Sequence, residues 1–158
     1  MKEKTLIGRN EYVWLIEAGQ KKIPARIDTG ARTTSIWASD IHEVGNKLEY
    51  ILFGDKSNLY TGEIQVAQHF SKIAVASSNG IIELRYRIPI ILQIKGRKIK
   101  THCTLSDRSS QSYPILIGRN TLNGKFIVDT QKGVRSLSEL DEKRYANIQK
   151  ITEEGMKR

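Results

Sequence analysis

The chain has 158 residues, 39% of them hydrophobic, which is enough to bury one core and too little for two full domains. Its formal net charge of +9 sets up a field that attracts anions, acidic peptides and nucleic acid among them. The opening "MKEKTLIGRNEYVWL" has no long apolar run and no later window reaches the length of a membrane span, so a soluble cytoplasmic protein with no membrane partner is expected; the lone Cys103 agrees with a reducing compartment.

Turn signals are frequent, and the segments between them favour Ile, Val, Tyr and Thr, which predicts a mainly β domain. In "IPARIDTG" (23–30), Ile23, Ala25 and Ile27 alternate to bury one face, after which Asp28 and Thr29 lead into Gly30, where a strand can bend. That holds a carboxylate on a rigid element, although Asp-Thr-Gly is also an ordinary polar turn. Hairpins are expected at Gly45-Asn46, at Asn79-Gly80 and at Lys95-Gly96-Arg97. In "KIKTHCTL" (98–105), Ile99, Cys103 and Leu105 alternate with Lys98, Lys100 and His102, which predicts a sheet edge or surface strand with one basic face.

"SYPILIGRNTL" (112–122) is an apolar strand ending at Gly118, with Arg119 and Asn120 next. "LIGRN" occurs at both 6–10 and 116–120, but its flanks differ, so no tandem repeat is assigned. After Leu137 the chain turns to helix formers, with Ser138 as expected cap and Asp141 three residues on. The expected organisation is a domain over 1–136 and a helical tail over 137–158. Trp37 and Tyr113 are expected in the core.

Asp-Thr-Gly-Ala after an apolar strand, a hairpin with a small flexible tip, then Ile-Leu-Ile-Gly-Arg-Asn ahead of a leucine resembles the order of parts in retropepsin-like aspartic peptidases. More closely, "ARIDTGARTTSIWA" with "LSDRSSQSYPILIGRNTLNGKFIVD" is similar to the prokaryotic group named as ATP-dependent zinc proteases, over about residues 6–130. The resemblance implies an all-β fold, a small closed barrel of the acid-protease type with a flap hairpin and a C-terminal helix. It also implies Asp28 as catalytic residue, Thr29, Gly30 and Ala31 as its support, and a flap around Ser77 to Gly80 whose Ser78, Asn79 and Gly80 reach substrate.

Water attack on an amide needs one carboxylate to take a proton from water and a second, protonated, to donate to the carbonyl oxygen. Two carboxylates in contact cannot both ionise cheaply, so such a pair shares one proton. The chain has one Asp-Thr-Gly, and "VDTQ" at 128–131 has Gln131 in place of the glycine, which makes Asp129 a poor second acid. A two-fold homodimer would bring Asp28 from each subunit to one axis.

The zinc and ATP of the group's name find no motif here. His42-Glu43-Val44-Gly45-Asn46 lacks the second histidine and the helix of a zinc-protease site, and His102 and Cys103 are strand neighbours that face opposite ways. "GRNTLNGKF" (118–126) has five residues between its glycines and Phe126 where a phosphate loop has a hydroxyl. No cofactor and no metal are expected.

Viral retropepsins usually carry an Asp two residues after the motif glycine; here that residue is Arg32. Arg32, Arg85, Arg87 and Arg108 offer forked donors suited to carboxylates if they meet at the cleft, and structural ion pairs if they do not. The expected activity is therefore aspartic endopeptidase hydrolysis of acidic, Glu-rich peptides. The alternative is a catalytically silent peptide-binding module on the same barrel. Specific nucleic-acid binding is not expected, because aromatics are only 7% and no RNA-binding aromatic run is present.

Overall fold

The computed structural model describes residues 3–19, 21–76 and 79–157. The N-terminal strands are β1 (Thr5–Ile7), β2 (Asn10–Leu15) and β3 (Lys21–Ile27), followed by β4 (Thr34–Val44), β5 (Lys47–Leu52) and β6 (Ile64–Ala67). A long hairpin joins β7 (Ser71–Ala76) to β8 (Ile82–Ile94), and β9 (Arg97–Ser106) and β10 (Ile115–Ile117) complete the main sheet. A short helix α1 (Arg119–Leu122), β11 (Phe126–Val128) and helix α2 (Ser138–Met156) end the chain.

Six strands close into a barrel in the order β10-β3-β2-β8-β9-β4, and β10 shuts it by pairing with both β3 and β4. Closure leaves no free edge among these strands, and alternate side chains fill the interior. The expected alternation of β3 holds, with Ile23 and Ala25 at 0% exposure and Ile27 at 7%. On β8 the buried set Ile88, Ile90, Leu92 and Ile94 begins only half-way along the strand. Its first half leaves the barrel with β7 and keeps Ile82 and Leu84 exposed.

The three expected hairpins form. Lys95 and Gly96 both take positive φ in a two-residue turn between Ile94 and Arg97, while among the described residues of the flap turn only Gly80 does. Strand β9 is not an edge, because it lies between β8 and β4, and its pairing with β4 is parallel. The two-face reading of β9 stands, with Cys103 buried and His102 exposed. Burial raises the Cys103 thiol's pKa well above its ordinary value, with the charge of Glu17 adding to the effect. Tyr113 is 1% exposed, and Trp37 packs partly buried against the core.

Ser138 does not cap α2. A 3-10 turn over Arg135–Leu137 runs straight into the helix, Leu137 occupies the cap position and no side chain caps it. Among the described residues no helix is long and apolar enough to cross a membrane.

Candidate active site

The strand period that buries Ile23, Ala25 and Ile27 turns Arg26 and Asp28 to the opposite face. There Arg26 Nη1 lies 3.5 Å from Asp28 Oδ2. The strand then ends in a tight turn. Gly30 N–H donates to Asp28 Oδ1 at 2.9 Å, and Ala31 N–H donates to the Asp28 carbonyl at 3.2 Å. A Cβ on Gly30 would stand 3.3 Å from Asp28 Oδ1, so the missing side chain leaves room beside the carboxylate.

The second motif grips this turn from below. Asp28 N–H donates to the Ile117 carbonyl at 2.9 Å, Arg119 N–H to Ala31 at 2.8 Å and Asn120 N–H to Arg32 at 3.1 Å. Gly118 allows the approach, because a Cβ there would lie 2.6 Å from the Thr33 carbonyl. Asn120 Oδ1 accepts from Thr34 N–H at 2.9 Å while its Nδ2 donates to the His102 carbonyl at 2.7 Å. Arg119 Nη1 donates to the Thr29 carbonyl at 3.1 Å. Asp28 thus sits on a loop whose backbone is bonded on several sides, as a preorganised acid requires.

The other "LIGRN" does the same local work at the far end of the chain. Asp129 N–H donates to the Ile7 carbonyl at 2.9 Å, Arg9 N–H to Lys132 at 2.8 Å, and Gln131 N–H to Asp129 Oδ1 at 3.0 Å. A Cβ on Gly8 would clash with the Lys132 carbonyl. Strands β1 and β11 run parallel, as β10 and β3 do. The two copies of the pentapeptide therefore each clasp an Asp-Thr loop.

Asp28 opens on a cleft of about 1030 Å³. Gly30, Ala31 and the predicted Arg32, Arg85, Arg87 and Arg108 line it, joined by Arg26 and Arg119, which sequence reasoning did not place there. Arg144 of α2 also reaches it. Arg26 was findable, since it stands two residues before Asp28 on the same strand face; Arg119 and Arg144 come from elements that only the fold brings near. Asp28 is the one carboxylate among the described lining residues.

These arginines share one cleft and are short of counter-charges. Of these cleft arginines, only Arg26 and Arg85 have a carboxylate within 4 Å among the described residues, from Asp28 and Glu83. Arg85 Nε is buried and has no hydrogen-bond partner among the described residues. Arg108 Nε donates to the Tyr113 carbonyl at 2.9 Å. Burial, then the charges of Arg26 and Arg85, lower the Arg108 pKa to about 10, with Asp28 pulling the other way. The group stays charged at neutral pH in a site that favours an anion.

The flap hairpin borders this floor, but its contact with the cleft is made by the β7 residues Ile73, Ala74, Val75 and Ala76 and by Arg85 and Arg87 of β8, not by its tip. Asn79 and Gly80 lie at the hairpin tip and do not line the cleft, and Ser78 falls outside the described residues with Ser77. The turn lies where the sequence placed it, but because β7 and β8 stay paired up to Ala76 and Ile82, Asn79 and Gly80 fall beyond the cleft lining. Among the described residues, no three His, Cys, Asp or Glu side chains group as a metal site.

Residues 6–137 match the model of the RimB-like family, described as the retropepsin-like aspartic endopeptidase RimB. The chain belongs to that family. Among its relatives is a probable alpha-L-glutamate ligase of Shewanella halifaxensis, 32% identical over 130 residues that make up 80% of this chain and 28% of the relative. One of the same name from Parasynechococcus marenigrum is 29% identical over 147 residues, 89% of this chain and 31% of the relative. The RimB-like chain thus spans under a third of the ligases it matches. A crystal structure of Lpg0085 from Legionella pneumophila, a protein of unknown function, shares the fold with a TM-score of 0.68 at 19% identity, covering 85% of this chain and 99% of that one.

Proposed function

We propose that the chain is an aspartic endopeptidase that cuts peptide bonds within glutamate-rich segments, using water held between the Asp28 carboxylates of a two-fold homodimer. The observation that carries this reading is the single acid on the floor of an arginine-walled cleft. The buried, unpartnered Nε of Arg85 is short of an acceptor, which an incoming carboxylate would supply. The glutamate ligases in which a similar segment occurs handle glutamate by name, which agrees with an acidic substrate.

The chemistry follows from the floor of the cleft. One Asp28 takes a proton from water as that water attacks the amide carbon, and the partner's Asp28, carrying the shared proton, donates to the carbonyl oxygen. The roles then reverse as the amine leaves. Gly30 N–H fixes the orientation of each inner oxygen. A reducing compartment suits the single buried thiol of Cys103.

A second reading, a peptide-binding module without hydrolysis, draws on the Arg26–Asp28 ion pair, which supplies the acid with a counter-charge inside one subunit. One experiment separates the two. A peptide library is digested with the chain and with Asp28→Asn, and the products are read by mass spectrometry. The endopeptidase reading expects cuts in Glu-rich peptides that fall about 10²–10⁴-fold in Asp28→Asn. Retained binding by both proteins with cleavage by neither gives the binding module.

A further inference from the structure

Helix α2 starts just after the family match ends at residue 137, and in the sequence it reads as a tail. Its first turns are instead pinned to the barrel wall. Asp141 Oδ1 accepts from the Tyr113 hydroxyl at 2.6 Å, and its Oδ2 accepts from Arg9 Nε and from Asn10 Nδ2, both at 3.0 Å. Asn10 is 0% exposed and Tyr113 1%, so the anchor enters the packed interior. A surface ion pair alone would hold the helix weakly.

Arg144 follows Asp141 at i+3, a spacing that puts both on one helical face, and its side chain lines the Asp28 cleft. It has no carboxylate partner among the described residues; its guanidinium lies 5.9 Å from the Tyr145 ring. The anchor also reaches the cleft by a second route. Tyr113, whose hydroxyl Asp141 holds, accepts Arg108 Nε on its own carbonyl. A helix serving only to stabilise the barrel would explain the Asp141 contacts but not an unpaired guanidinium in the cleft, nor why α2 buries none of its residues.

We infer that the first turns of α2 form a wall of the substrate cleft. Arg144 is a specificity-determining residue that binds a carboxylate side chain of the substrate. Asp141 is a positioning residue that anchors the turn of α2 carrying Arg144, and that reaches Arg108 through Tyr113. This rests on the acidic-substrate reading above and extends it to an element outside the matched family segment.

The test uses the full chain with a Glu-rich peptide and the same peptide carrying Gln in place of each non-scissile Glu. Arg144→Gln is expected to raise KM for the Glu-rich peptide about tenfold, the effect of about 1.4 kcal/mol. It should leave kcat and the Gln peptide unaffected, and Arg144→Lys should recover most of the loss. Asp141→Asn is expected to raise the same KM by a smaller factor. If the chain binds without cutting, Kd from fluorescence anisotropy replaces KM. A wild-type preference for Glu with no change in Arg144→Gln would overturn the α2 wall and leave the acidic reading intact. A wild type indifferent to Glu against Gln would overturn the acidic reading and this inference with it.

Discussion

At Gly118 the backbone φ of −98° is open to any residue, so the glycine is there for room rather than for conformation. The atoms a Cβ would meet are the Thr33 and Ala31 main chain, which cannot swing aside as a side-chain tip can. Gly118→Ala is therefore expected to cost about 1–3 kcal/mol in denaturant unfolding. It should lower cleavage further than the lost stability explains, because the displaced loop carries Asp28. Arg85 shows the opposite balance. Its buried Nε lacks a partner in the free chain, and removing a buried unsatisfied donor in favour of an apolar group of similar length is neutral or stabilising. Arg85→Met should raise Tm by about 2–4 °C, the shift of ~1 kcal/mol in a chain of this size, while KM for a Glu-rich peptide rises. A fall in Tm with KM unchanged would show that Arg85 serves the fold and not the substrate. Residues 23–31 were legible because a carboxylate ending an alternating strand needs only neighbours along the chain to be read, whereas the cleft that Arg85 lines is assembled from elements that meet across space.

The β7–β8 hairpin borders the Asp28 cleft, and its base is tied down. Glu43 Oε2 on β4 accepts from the Tyr86 hydroxyl of β8 at 2.9 Å and lies 3.2 Å from Lys72 Nζ of β7. Phe70 packs edge-on against the Tyr86 ring at 5.8 Å. The Tyr86 and then the Lys72 hydrogen bonds hold the Glu43 pKa below its ordinary 4.5. A lowered carboxylate pKa means that the tether is fully present above about 4.5 and is lost as pH falls through the lower, folded-state value. Glu43→Ala should accordingly speed hydrogen exchange along β7 and the outer half of β8 at pH 7. The difference from wild type should close below the folded-state pKa, and a difference that persists there would assign the effect to packing. The hairpin itself was readable from Asn79-Gly80. What it covers was not, since the alternation in "SKIAVA" shows two faces without showing which one meets the cleft. For the same reason β9 reads as an edge or surface strand, because its parallel partner β4 lies about 70 residues earlier and leaves no local trace.

For the whole molecule, closure is the decisive event. Strand β10 is only three residues long, yet it pairs with β3 on one side and β4 on the other, placing the Gly118 motif under the Asp28 turn. The proposed chemistry needs two carboxylates, and in the proposed homodimer each subunit would offer one, Asp28. Specific activity should therefore fall on dilution as dimers dissociate, and light scattering on active fractions should give twice the 18.0 kDa chain mass. Activity strictly proportional to enzyme concentration down to a light-scattering monomer would remove the shared-proton mechanism.

What the sequence determined by itself is what neighbours along the chain can specify. It set the alternation that buries Ile23, Ala25 and Ile27, the turns at Gly45-Asn46 and Lys95-Gly96, and an acid and a glycine-arginine motif in a recognisable order. The tertiary structure alone decided that arginines from β3, β8, α1, α2 and two loops share one cleft, that the two "LIGRN" segments clasp equivalent loops, and that a helix resembling a tail reaches the wall of the Asp28 cleft. Those approaches are set by barrel closure and by side chains meeting across more than a hundred residues, as Asp141 meets Arg9. Residue spacing along a chain carries local periodicity, but it holds no record of which distant faces the packed core will bring together.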